Sequence, residues 1–205
     1  MKRRDTQIRR FYFRLCVSVC LCFTVAGHAE VLDRIVAVVE GHLITLSDLR
    51  QEREIRATLG EKPIEDNATL VRQLVDTYLI ERQITDYPNI DVTNAEIDAD
   101  LQKVSLRSPT ASDALRDAVR RRIRIQKFFD MKFRQAIRPT DEEIRKYYED
   151  VFLPEARTRG LQSIPSLADA EMANAIRENV IQEKLNHEVD VWLEAIRRRS
   201  NIEFF

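Results

Sequence analysis

The chain has 205 residues, with 33 lysines and arginines against 34 aspartates and glutamates, a net charge of −1 and four glycines. That balance excludes the strongly basic surface of a nucleic-acid binder. So few glycines exclude Gly-rich phosphate loops and turn-dense β folds, and point to long helices.

Residues 1–29 read as a secretory signal. Lys2, Arg3, Arg4, Arg9, Arg10 and Arg14 face only Asp5, the stretch Leu15 to Ala26 is apolar, and Gly27-His28-Ala29 offers small residues for cleavage. The apolar stretch is shorter than the ~20 residues that span a bilayer, which leaves retention as an anchor the lesser alternative. Six basic residues and one acid leave with this segment, which takes the net charge to about −6. All three cysteines (Cys16, Cys20, Cys22) lie inside it, so the mature chain has no disulfide and no thiolate. The expected product is a soluble periplasmic protein of one domain, held together by burial alone.

Behind the signal, Ile35–Val39 and His42–Ile44 are strand-like and flank Glu40-Gly41, a pair suited to a tight turn. Thr45 with Asp48 then begins a helix over 46–58, ended by Gly60 and Pro63. Asn67 offers a cap for a second helix, 68–85, with Leu70, Val71, Leu74, Val75, Tyr78 and Leu79 at helical period. Pro88 breaks the chain. Thr93 with Glu96 forms a capping box for a third helix, to about Leu106 before Pro109. Thr110 or Ser112 starts a fourth, to about Ala136, with Leu115, Val119, Ile123, Phe129, Phe133 and Ile137 in step.

Pro139 ends that helix, and Thr140 with Glu143 caps a short one reaching about Phe152. Residues 154–166 read as a linker of about thirteen residues. A last helix, about 167–199, aligns Ile176, Val180, Leu185, Val189, Trp192 and Ile196. The chain then finishes on a short strand candidate, Ile202 to Phe205. Short strands are not stable alone, so this one is expected to pair with the opening strand or its hairpin partner. The expected fold is mainly α: a multi-helix module with a small N-terminal β-hairpin paired to a short C-terminal strand, and a long C-terminal helix packed on the N-terminal helices. Residues 30–153 and 167–205 would form one domain around the linker.

Asp33 to Leu49 (DRIVAVVEGHLITLSDL), Arg138 to Tyr148 (RPTDEEIRKYY) and the closing run Lys184 to Arg199 followed by Asn201-Ile-Glu-Phe resemble, in that order, the SurA-type periplasmic chaperones and their parvulin-linked relatives. The likeness covers nearly all of the mature chain. In isomerase-bearing members a parvulin domain sits between the second and third of these segments. Here that interval is 154–166, and a domain needs at least about 50 residues. The resemblance therefore implies the chaperone module alone, without isomerase activity. It would bind unfolded exported or outer-membrane polypeptides without ATP, cofactor or metal. A cell-envelope adaptor with one specific folded partner is the alternative.

Candidate peptide-binding residues are Phe128 and Met131, which lie off the Leu115–Val119 stripe, together with Tyr147, Tyr148 and Phe152. Adaptable Met and aromatic side chains suit promiscuous binding, whereas Phe129 and Phe133, in phase with the stripe, are expected in the core. The basic run Arg120, Arg121, Arg122, Arg124 and Lys127 reads first as a solvated helix face, with peripheral contact to anionic headgroups or acidic client segments as the minority reading. His42 and His187 are the only histidines after the signal, too few for a metal site, and no catalytic constellation is identifiable. With a long terminal helix and few turns, exchange of that helix between two copies would make a homodimer.

Overall fold

The computed structural model describes residues 33–87, 89–104, 112–160, 163 and 165–205. The expected signal, Pro88, the third helix's end near Leu106, Pro109 and the alternative cap Thr110 lie outside them.

Strands β1 (Ile35–Val39) and β2 (His42–Thr45) form the hairpin. Both turn residues have positive φ, 51° at Glu40 and 82° at Gly41. This is the mirror-image two-residue turn whose twist matches that of the strands. Gly41 takes its conformation freely, whereas Glu40 does so against the preference of a residue with a Cβ. Its anchors explain the choice. The Glu40 N–H donates to the Asn201 carbonyl at 2.9 Å, and its carboxylate accepts from the Asn201 N–H at 2.9 Å and from Arg82 at 3.1 Å.

Those contacts bring in β3 (Ile202–Phe204), which pairs antiparallel with β1 in the register Val39↔Ile202, Val38↔Glu203, Ala37↔Phe204. The sheet order is β2-β1-β3. The expected closure between the hairpin and the final strand is thus present, with β1 in the middle. Ala37, Val39 and Ile44 turn their side chains into the main core.

Seven α-helices follow the hairpin among the described residues: α1 (Leu46–Thr58), α2 (Asn67–Ile84), α3 (Asn94–Val104), α4 (Asp113–Lys132), α5 (Asp141–Tyr147), α6 (Leu153–Thr158) and α7 (Ala170–Arg197). The capping boxes expected at Thr45/Asp48 and Thr140/Glu143 are both closed, and Ser112 caps α4. At Thr93, the backbone N–H and the hydroxyl both donate to the Glu96 carboxylate. Lys127, ahead of these Thr93 contacts, holds that carboxyl down to about 2. The cap of α2 is Asp66, not Asn67. The carboxylate of Asp66 accepts from Ala68 and Thr69 N–H groups, whereas the Asn67 amide oxygen is taken by Arg53.

The region expected as linker is helical over its first part. Between α5 and α6 the helix continues as a wide π turn, Tyr148–Phe152, in which the Leu153 N–H bonds the Tyr148 carbonyl. Pro154 has no N–H for the Asp150 carbonyl, so the chain cannot keep regular α hydrogen bonding there; the wide turn accommodates the proline without ending the helix.

Among the described residues four apolar clusters organise the body. The first joins the sheet to α1, α2 and Ile196 of α7. The second packs Ile55 of α1 with Ile97 and Leu101 of α3 and Leu115, Ala118 and Val119 of α4. The third gathers Ile80 and Ile84 of α2, Ile90, Phe128 of α4 and Leu193 of α7. The fourth, Ile144 of α5 with Ile176 and Val180 of α7, lies at the other end of α7. The long last helix therefore spans from the sheet to α5. Near its C-terminal end Arg197 makes two bonds to the Asp76 carboxylate, at 2.6 and 2.5 Å.

Glu40→Ala is expected to lower stability by about 1 kcal/mol, the scale of hydrogen bonds to a charged group discounted for solvent exposure. Glu40→Gly should lose a comparable amount although it eases the backbone. Urea denaturation of both variants checks this; a Glu40→Gly protein more stable than wild type would show that the anchors do not matter.

Candidate functional site

An open groove of about 990 Å³ lies between the end of α4, α5 with its π turn, and the middle of α7. Its apolar lining comes from Phe133, Ala136, Ile137, Tyr147, Val151 and Val180. Local chain chemistry sets up each wall. The helix α4 stops at Lys132, a single 3-10 turn (Arg134–Ala136) follows, and Pro139 precedes the Thr140 cap of α5. This corner carries Phe133, Ala136 and Ile137 to the groove's edge. The π turn carries Asp150 and Val151, and Val151 keeps 38% of its surface exposed.

Charges of both signs rim the groove. Lys184 bridges from α7 to Glu143 of α5 at 2.5 Å. This contact, together with the Thr140 cap, holds the Glu143 carboxyl below its ordinary value. Arg134 pairs with Glu178 and so ties the corner to α7. Lys146, Asp150, Glu183 and Glu188 also line the groove, with no ionic partner among the described residues. His187 sits on the same wall, on the exposed surface of α7. No cluster of three or more His, Cys, Asp or Glu among the described residues could hold a metal ion. None of the described helices is long and apolar enough to cross a membrane.

The five candidate binding residues part company. Tyr147 lines the groove. Tyr148 and Phe152 stack on each other at 5.6 Å and pack half-buried on the fourth cluster, with the Tyr148 hydroxyl donating to the Pro165 carbonyl at 2.9 Å. Met131 is 37% exposed but outside the groove lining.

Phe128 is the correction. It is fully buried, in contact with Tyr87 at 5.2 Å and Trp192 at 5.6 Å between ring centres. Phe129 and Phe133 are the half-buried ones. The cause is a change of neighbours along α4. Its first half is covered by α1 and α3, its second half by α2 and α7. The buried face therefore turns, and a stripe extended from Leu115 and Val119 points the wrong way at Phe128.

Sequence reasoning missed Phe133, Ile137, Val151 and Val180 as lining residues. Val151 stood between two of the chosen aromatics, and Ile137 beside the Pro139 break. Phe133 and Val180 carry no local signal that separates groove from core.

The basic run on α4 is consumed internally. Arg121 pairs with Glu81 of α2, Arg122 with Glu52 and Glu61, Lys127 with Glu96, and Arg120 with Asp117. Arg124 alone of the run has no ionic partner among the described residues. Such pairs are individually weak at a surface, but together they spread over α1, α2 and α3 and leave little free positive charge. His42 stacks on Tyr78 at 4.3 Å, a packing role.

No family model matches this chain. No curated protein matches it either.

Phe128→Ala is expected to cost about 3–5 kcal/mol, as for a buried phenylalanine. Phe133→Ala should cost clearly less, because part of its ring already meets solvent. Urea midpoints of the two variants test the assignment, and equal losses would contradict it.

Proposed function

We propose that the protein is an ATP-independent periplasmic chaperone that holds unfolded exported or outer-membrane polypeptides in the groove between α4, α5 and α7. The observation that carries this reading is the groove's make-up. An apolar strip is flanked by carboxylates and ammonium groups that are not all used within the chain. Extended polypeptide of varied sequence offers the same mixture, apolar side chains beside charges of either sign. An open groove of this volume accommodates side chains without enclosing them, which suits weak and reversible holding. With no nucleotide cycle, release must come from dissociation of a client held with modest affinity.

The resemblance to SurA-type chaperones supports the same reading. The hairpin, the Thr140 cap and the closing helix and strand stand in that family's order. Between Thr158 and the Asp169 cap of α7 there is no room for an isomerase domain. Residues 1–29, with their signal-like pattern, supply the route to the periplasm.

At micromolar concentration the mature chain is expected to suppress aggregation of an unfolded outer-membrane β-barrel protein without accelerating prolyl isomerisation. Ile137→Asp with Val151→Asp should weaken that suppression several-fold while the thermal midpoint stays near wild type. Failure to hold any unfolded client would overturn the reading. Capture of one stoichiometric folded partner, insensitive to competing unfolded peptide, would favour an adaptor instead.

A further inference from the structure

At the α4 edge of the groove the ammonium of the exposed Lys132 lies over four aromatic rings at once. Its Nζ is 5.8 Å from the centre of Tyr87, 5.7 Å from Phe128, 5.6 Å from Phe133 and 5.7 Å from Trp192. The rings also pack on one another, with Phe133 and Phe128 each 5.6 Å from Trp192. Lys132 makes no ion pair with a carboxylate among the described residues, unlike most of its basic neighbours on α4. The negative ring faces are what hold it.

We propose that this aromatic box is a receptor for the guanidinium of an arginine in a bound polypeptide, with Lys132 as its displaceable plug. The proposal rests on the chaperone reading and names one feature its clients would present. Three observations carry it. The rings already hold a cation at 5.6–5.8 Å from their centres, so their field suits one. An ammonium is compact and strongly hydrated, whereas a guanidinium is planar, weakly hydrated and stacks on aromatic faces, so it is the better guest. Lys132 and Phe133 line both box and groove, and Glu183 and Glu188 on the same lining have no ionic partner among the described residues. A displaced lysine, on its flexible four-carbon stem, therefore finds carboxylates in the groove it enters.

Trp192 is the chain's one tryptophan and forms a wall of the box, so its emission reports occupancy directly. The mature chain is titrated with N-acetyl-arginine amide and, in parallel, with the uncharged isostere N-acetyl-citrulline amide at matched ionic strength. The arginine derivative is expected to shift Trp192 emission saturably and the citrulline derivative to leave it unchanged. Lys132→Ala, which removes the plug, should bind the arginine derivative about three- to tenfold more tightly, and Phe133→Leu should weaken it by a similar factor. An equal response to both derivatives would overturn the proposal. So would an arginine affinity unmoved by Lys132→Ala, even if that variant melts at lower temperature, because the lysine would then be a packing residue only. The titration uses no unfolded client, so its failure leaves aggregation suppression standing, and the reverse outcome is equally distinct.

Discussion

Glu40 sits where the two ends of the described chain meet, in a backbone conformation that a residue with a Cβ adopts at a cost. Its N–H and carboxylate clasp the backbone of Asn201, and its second oxygen takes Arg82 of α2. The hairpin turn, the start of β3 and the C-terminal end of α2 are thereby held at one point. From it follow the register of β3 on β1 and the position where α7 must end. The bidentate Arg197–Asp76 pair fixes the same end of α7 to α2 one layer away. A sheet of three short strands has little stability of its own; it persists because the long helix returns its last strand to the hairpin.

With that end of α7 fixed, its other half packs Ile176 and Val180 against Ile144 of α5 and pairs Glu178 with Arg134. The fourth cluster is small, and the groove is the space left between it and the end of α4. Two interhelical ion pairs, Lys184–Glu143 and Arg134–Glu178, brace the groove where apolar burial is sparse. The distribution of charge along α4 completes the division. Its arginines knit the body together, and Phe133, Ala136 and Ile137 beyond its last turn line the groove.

Much of this was legible in the sequence because local chemistry determined it. The Glu40-Gly41 turn, the Thr45 and Thr140 capping boxes and the Ser112 cap are decided by residues within a few positions of each other. The closure of β3 on β1 followed from the instability of lone strands. What stayed hidden depends on neighbours far along the chain. Phe128 was misplaced because α4 changes covering partners midway, and no periodicity within α4 alone records that change. The helix through Pro154 was missed because a wide turn can absorb a proline that would otherwise end it. Asp66 replaced Asn67 as a cap because Arg53, fourteen residues before the asparagine, engages it. For the groove the outcome was similar. Tyr147 could be chosen as an aromatic near a helix end, whereas Val180 joins the lining only through the return of α7.

The central claim, that unfolded polypeptide occupies the groove between α4, α5 and α7, is tested most directly by amide hydrogen exchange of the mature chain with and without an unfolded outer-membrane protein. Added protection is predicted at residues 133–151 and 180–188, with the sheet and α1 unchanged. Protection confined to the sheet or to α1 and α2, with none at the groove, would contradict the account.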